Sequence, residues 1–193
     1  WKSSSHPVPG DAGNRDWGVL IHDAPFTNMV ANHLAFDEDP LRTHITPVQT
    51  SDAPLGWTMP SAGPVIGTSA ESITGPFEAK LLVCPDACIG DLVSLLNEAD
   101  EEILLSLQYL DLDWSYGWGD NPIVAALEGA AERDVRLRLV INGAYLDEDI
   151  QRAVDTFNEE WNFTRGYDTA AVVMSPGDNV TKLHNKGAIV DGE

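Results

Sequence analysis

A histidine and a lysine in the C-terminal part of the chain have the spacing needed to act on one group. The segment His184-Asn-Lys186-Gly-Ala-Ile-Val-Asp191 reads H-x-K-x4-D within an apolar run. Side chains two residues apart on a β-strand project from the same face, so His184 and Lys186 would converge on one point. An imidazole can act as a nucleophile and a lysine supplies positive charge, which together indicate phosphate chemistry. The spacing alone also fits a histidine whose hydrogen bonds are satisfied within the fold, beside a lysine that faces solvent.

Alternating strands and helices should position this pair. Apolar runs predict strands at 80–84, 102–110, 135–141, 170–174 and 184–190. Helical spacing predicts helices at 89–99, 123–134 and 147–161, the second capped by Asn121 with Pro122 at its first position. This order predicts the α/β class, with a mainly parallel (mixed) β-sheet flanked by helices on both faces. In such sheets, ligands bind beyond the carboxyl ends of the strands.

The N-terminal third has a different organisation. Residues 17–23 (WGVLIHD) predict a buried strand, and Pro25 suits an early position of the helix that follows. From 38 to 76 the periodicity disappears, and prolines occur among Gly, Ser and Thr. A segment of this length is too long for a compact loop, so it is either a linker between two modules or a long lid.

The segment after the 102–110 strand carries three aromatic residues near the predicted carboxyl edge. Trp114, Tyr116 and Trp118 lie among glycines and acidic residues. They could form a wall against an apolar or ring-bearing substrate, or could instead pack back on their own domain. Gln108, near the end of the strand, is a candidate polar contact to the substrate.

The composition is strongly acidic. The chain has 31 Asp and Glu against 11 Lys and Arg, a net charge of −20, and 43% hydrophobic residues. That apolar content excludes an acidic disordered chain. The charge fits either a folded protein adapted to high salt, where self-repulsion is screened, or an ordinary acidic protein. A nucleic-acid-binding surface is disfavoured at low salt, and this objection weakens in brine.

Neither a long apolar run nor a leader segment is found, so we expect no membrane span. Because the chain begins at Trp1, we expect a fragment or a processed product. Cys84 and Cys88 could form a local disulfide or remain two thiols, and a zinc site would need two further ligands. The cysteine pair and the sequons at Asn162 and Asn179 favour an extracellular or cell-surface location slightly over a cytoplasmic one, and the compartment otherwise stays open.

Two segments resemble the phospholipase D superfamily. The run KLHNKGAIVDG at 182–192 is similar to its HKD signature, and WKSSS followed by Asn14-Arg15-Asp16 is similar to the segment that follows that signature. The resemblance implies a two-repeat, haloarchaeal-like member in which each repeat supplies half of one active site. Residues 1–37 would be the tail of a first repeat, 38–76 a linker, and 77–193 a second repeat ending at its HKD motif. The first repeat's own motif is then expected upstream of the chain.

The resemblance also implies a mechanism. One histidine forms a covalent phosphohistidine, the histidine of the other half protonates the leaving oxygen, and lysines neutralise the phosphate, without a metal or cofactor. His184 would be nucleophile or general acid, and Lys186 a phosphate clamp. Asp191 completes the motif, but its odd spacing from His184 predicts a structural role. Asp16, which stands where the family more often has glutamate, is a candidate to orient a motif histidine, or is a surface or helix-capping acid.

The expected activity is therefore that of a phosphodiesterase acting on nucleic acid or phospholipid. The missing repeat or a second copy in a homodimer would complete the site, so the isolated chain should be weakly active or inactive unless it dimerises. The alternative is a catalytically inactive structural or binding module that retains the fold. If the two halves form one repeat in permuted order, residues 17–23 should pair beside the strand that carries His184, and the following helix should cover it.

Overall fold

A computed structural model describes most of the chain. The described residues are 13–15, 21–37, 74–76, 78–82, 84, 88–113, 120–144, 146–176 and 180–192. The chain divides into two compact units, of which the larger comprises Trp1–Trp17 with Leu82–Glu193 and the smaller Gly18–Leu81. Within the described residues, no helix has the length and apolar character needed to cross a membrane.

The elements follow one another in the α/β order that the sequence predicts. They are β1 (Gly13–Arg15), α1 (Ala24–Asp37), α2 (Cys88–Asn97), β2 (Glu102–Leu107), α3 (Pro122–Glu132), β3 (Arg136–Asn142), α4 (Glu148–Asp155), a π-helix (Thr156–Thr164), β4 (Thr169–Met174), β5 (Val180–Leu183) and β6 (Gly187–Val190). Four strands form a sheet in the order β4-β3-β2-β6, in which β2, β3 and β4 are parallel and β6 is antiparallel to β2. A separate parallel pair joins β1 to β5. The predicted α/β class with a mainly parallel, mixed sheet is confirmed.

One face of the four-stranded sheet carries the core. Alternate residues of β3, namely Leu137, Leu139 and Ile141, are buried, as period-two alternation requires. The helices of the larger unit add Leu96, Leu127, Ile150, Phe157 and Trp161 to the same core. On the other face, Val140 is 38% exposed and Val172 is 58% exposed. The buried core shared by sheet and helices therefore includes the face that carries Leu137, Leu139 and Ile141.

Helix α3 begins as its sequence predicts. The Asn121 side chain accepts a hydrogen bond from the Ile123 N–H at 3.0 Å, and Pro122 occupies the first turn. The predicted 147–161 helix is present as α4, which Asp147 caps, followed by the π-helix. The chain therefore stays helical through this region but changes its hydrogen-bond pattern at Thr156.

The predicted strand at 80–84 is wrong for the residues that the structure describes. Residues 80–82 have no strand structure, and Cys84 lies in a turn. Cys84 and Cys88 form a disulfide with their Cα atoms 5.1 Å apart. An extended chain would separate residues four apart by roughly 13 Å, so the disulfide requires a turn here. Of the alternatives that the sequence left open for the two cysteines, the structure contains the disulfide.

Helix α1 belongs to the smaller unit. The Asp23 carboxylate accepts a hydrogen bond from the Phe26 N–H at 2.7 Å, and Pro25 lies in the first turn as predicted. Of the predicted strand at 17–23, residues 17–20 lie outside the described part, and residues 21–23 are not a strand. Asp23 instead caps the helix that follows.

Candidate functional site

The motif residues occupy a connection between two strands. His184, Asn185 and Lys186 follow β5 and precede β6. Since Gly187 pairs with Ser106 near the carboxyl end of β2, the connection lies at the carboxyl edge of the sheet. The predicted strand 184–190 is thus too long at its start. β5 pairs with β1 and β6 pairs with β2, so the chain changes sheets at the motif.

The Lys186 ammonium is held beside the backbone of His184. It donates to the Gln108 side-chain carbonyl oxygen at 2.5 Å and to the His184 carbonyl oxygen at 2.9 Å. The ammonium also lies 5.8 Å from the centroid of the Tyr109 ring, within the range of a cation–π interaction. Gln108, predicted as a substrate contact, therefore contacts the motif lysine directly. This arrangement gives a positive charge of fixed position next to His184.

Both residues that flank His184 are bonded to the carboxyl ends of the central strands. The Leu183 N–H donates to the Asn142 side-chain oxygen at 3.0 Å, and the Asn185 amide donates to the Ser106 hydroxyl at 2.7 Å. Sequence reasoning missed Asn142 and Ser106. The sequence does show a polar residue at or near the end of each apolar strand. Since the carboxyl ends of parallel strands form the ligand-binding edge of a sheet, this position could have marked both residues as candidates.

Gly143 closes the chain tightly against β4 directly after Asn142. Its N–H donates to the Met174 carbonyl oxygen at 2.9 Å, and a Cβ at this position would lie 2.7 Å from that oxygen. Backbone atoms cannot yield at such a distance as a flexible side chain could. Glycine is therefore required here, and the close approach fixes the turn that carries Asn142.

Asp191 binds the amino end of β2. Its carboxylate accepts hydrogen bonds from the N–H groups of Asp100, Glu101 and Glu102 at 2.9, 2.8 and 2.9 Å. These three bonds hold the pKa of Asp191 below its ordinary value of 3.8. Gln108 lies six residues after Glu102, which at the rise of a β-strand is roughly 20 Å from it. We therefore predict that Asp191 anchors β6 to β2 and takes no part in chemistry.

Replacing Asp191 by alanine should lower the midpoint of thermal unfolding by several degrees at pH 7. A lowered folded-state pKa means that the stabilisation is present above the ordinary pKa and is lost as pH falls through the folded pKa. The difference from the unmodified chain, followed by circular dichroism, should therefore be constant near neutral pH and shrink as the pH falls below the ordinary value of 3.8.

The matched control for that substitution is Asp134→Ala. Both aspartates have a positive φ, 51° at Asp191 and 66° at Asp134, so alanine strains the backbone at either position. Only Asp191 also loses three backbone hydrogen bonds to its carboxylate. Equal, pH-independent losses in the two variants would contradict the anchoring role.

Acidic groups also lie at the carboxyl edge. Asp111 follows β2, and partial burial, then the nearby carboxylates of Asp149 and Asp147, raise its pKa. Within the described ranges, no cluster of three or more His, Cys, Asp or Glu side chains is placed to hold a metal ion. A phosphate at this edge would meet acidic groups, so its binding would depend on a nearby cation such as Lys186.

Four of the predicted site residues lie outside the part of the chain that the structure describes. They are Asp16, Trp114, Tyr116 and Trp118. Their assignment to histidine orientation and to a substrate wall stays a prediction.

Part of the chain is similar to a solved structure. No protein-family model matches the chain, and no curated protein matches it. Among solved structures, NucT from Helicobacter pylori is similar to it with a TM-score of 0.41 and 16% sequence identity. The match covers 57% of this chain and 65% of NucT, so the chain spans less than two thirds of that protein.

Proposed function

We propose that this chain supplies one half of a phosphodiesterase site of the phospholipase D type, in which His184 and Lys186 act on the same phosphate. One observation carries the proposal. The Lys186 ammonium is hydrogen-bonded to Gln108 and to the His184 carbonyl oxygen, at the carboxyl edge of a mainly parallel sheet. The H-x-K-x4-D pattern around these residues supports the same chemistry.

The proposed reaction has two displacements at phosphorus. A nitrogen of one motif histidine attacks, a P–N bond forms, and the P–O bond to the leaving group breaks as a second histidine protonates the leaving oxygen. Water then attacks phosphorus and gives its proton to the second histidine, and the P–N bond breaks. Lys186 stabilises the charge that develops on the non-bridging oxygens. His184 serves as either the nucleophile or the acid.

The mechanism needs two histidines, and the chain contains one H-x-K pattern. We propose that the second histidine comes from another repeat of the same protein or from a second copy of this chain. Residues 1–37 would then belong to the first repeat and 77–193 to the second. The parallel pairing of β1 with β5, in which Arg15 is the partner of Leu183, supports the idea that the N-terminal segment completes the repeat beside His184.

The proposal is tested by hydrolysis of bis(p-nitrophenyl) phosphate in EDTA, from 0.1 to 3 M salt, over a series of protein concentrations. If two copies complete the site, the rate per chain should rise with concentration, because only the dimer brings together two motif histidines. Parallel assays with single-stranded DNA and with phosphatidylcholine vesicles distinguish the two substrate classes. Absence of hydrolysis at every concentration, together with no binding of a phosphate analogue at His184, would instead support an inactive structural or binding module.

A further inference from the structure

Asn142 is a buried polar residue whose burial needs an explanation. It ends β3 and is 0% exposed. Its side-chain oxygen accepts hydrogen bonds from the Leu183 N–H at 3.0 Å and the Ala144 N–H at 3.4 Å. Two N–H donors facing the same atom identify that atom as the oxygen, which fixes the orientation of the amide. The amide nitrogen is buried without a partner among the described residues. Burying an unsatisfied donor costs free energy, and the hydrogen bonds that the side-chain oxygen accepts must offset this cost.

The hydrogen bond from the Leu183 N–H to Asn142 attaches β5 to β3. The backbone of β5 pairs with β1, in a sheet separate from the four strands whose carboxyl edge carries Gln108. The hydrogen bond that the Asn142 side-chain oxygen accepts from the Leu183 N–H links β5 to β3, one residue before His184. The bond from Asn185 to Ser106 makes a second link one residue after it. His184 is thus bracketed by two attachments to neighbouring strand ends.

We infer that Asn142 is a positioning residue for His184: its side-chain oxygen fixes the Leu183 N–H and thereby the backbone from which the imidazole projects. This inference rests on the proposed function. Because Asn142 is buried, it does not touch the substrate and acts only through His184. Small displacements of a reacting group lower the rate of the chemical step more than they lower substrate binding.

Asn142→Leu removes the acceptor at similar side-chain volume. We expect kcat to fall by about 10- to 100-fold with KM changed less than about threefold, since misplacement of a reacting group by about 1 Å has costs of this order. Asn142→Asp keeps an oxygen toward the Leu183 N–H and should recover most of kcat. Thr169→Val is the control, because it removes a buried hydrogen bond, from the Thr169 hydroxyl to the Phe157 carbonyl oxygen, at the amino end of β4. It should lower the melting temperature and leave kcat unchanged.

A second readout does not require activity. In ¹⁵N-labelled full chain, Asn142→Leu should accelerate hydrogen exchange of the Leu183 amide and shift the His184 imidazole signals, and Thr169→Val should do neither. If Asn142→Leu does not fold, Asn142→Ala is measured in the same way. A chain that neither hydrolyses the phosphodiester at any concentration nor binds a phosphate analogue at His184 would overturn the proposed function, and the imidazole signals would still decide the positioning. An Asn142→Leu variant that keeps kcat within twofold, or keeps the His184 signals unshifted, would overturn the inference.

Discussion

Substitution of His184 by glutamine should lower kcat for a phosphodiester with an alkyl leaving group by at least about 10³-fold, the scale on which nucleophiles and general acids contribute. Glutamine keeps hydrogen-bonding capacity but can neither form a stable P–N bond nor carry a proton. The measurement is made on the protein form that shows activity in the concentration series. His22→Gln is the matched control, because His22 is exposed and belongs to the smaller unit. A His184→Gln variant that retains a tenth of the activity would contradict the assignment.

Where the second histidine comes from another repeat of the same protein, the same variant separates the two possible roles of His184; in a homodimer it would remove the nucleophile and the acid together. A p-nitrophenolate leaving group departs without a proton, so loss of a general acid should matter little with that substrate. Loss of the nucleophile should be equally severe with either leaving group. A defect confined to the alkyl substrate would identify His184 as the acid, and a defect with both would identify it as the nucleophile.

Substitution of Lys186 by methionine should lower kcat by about 10²- to 10³-fold, as does removal of one donor that stabilises a developing oxyanion. Methionine has nearly the same length without the charge. Lys186→Arg should recover only part of the activity, because a planar guanidinium cannot reproduce the contacts of the ammonium with Gln108 and the His184 carbonyl oxygen.

The Lys186 prediction has a matched control and a clear contrary outcome. Lys80→Met removes an equal charge from an exposed lysine in the smaller unit and should leave kcat within twofold. The Lys186 effect should also persist at high salt, because charges in direct contact are screened far less than distant ones. A Lys186→Met variant with raised KM and unchanged kcat would contradict the prediction, because it would show that the lysine binds the substrate and the transition state equally.

Helix caps and apolar periodicity, which involve only residues close together in the sequence, predicted helix α3 and strand β3. Helix α3 begins at Pro122 because Asn121 and Pro122 are adjacent in the sequence, and β3 follows from the alternation of Leu137, Leu139 and Ile141. The assignment of His184 and Lys186 to a site likewise rests on their spacing and their setting, and it stays a prediction. These features depend on residues within one turn or one strand of each other.

Long-range pairing accounts for what the sequence did not predict. The apolar run that contains His184 is divided between two sheets, and nothing within the run shows that β5 pairs with β1 while β6 pairs with β2. Asn142 is 41 residues from Leu183, so its contact follows from topology and not from spacing. The sequence could not decide between a Cys84–Cys88 disulfide and two thiols for another reason. Disulfide formation depends on the redox compartment.

The central claim is that His184 and Lys186 contact one phosphate. A crystal structure of the chain grown with tungstate, a phosphate analogue with strong anomalous scattering, tests it most directly. The account predicts an anomalous peak within contact distance of an imidazole nitrogen of His184 and the ammonium of Lys186, and its loss in the His184→Gln, Lys186→Met double variant. A peak elsewhere at saturating tungstate, with no anion beside His184 and Lys186, would contradict the account.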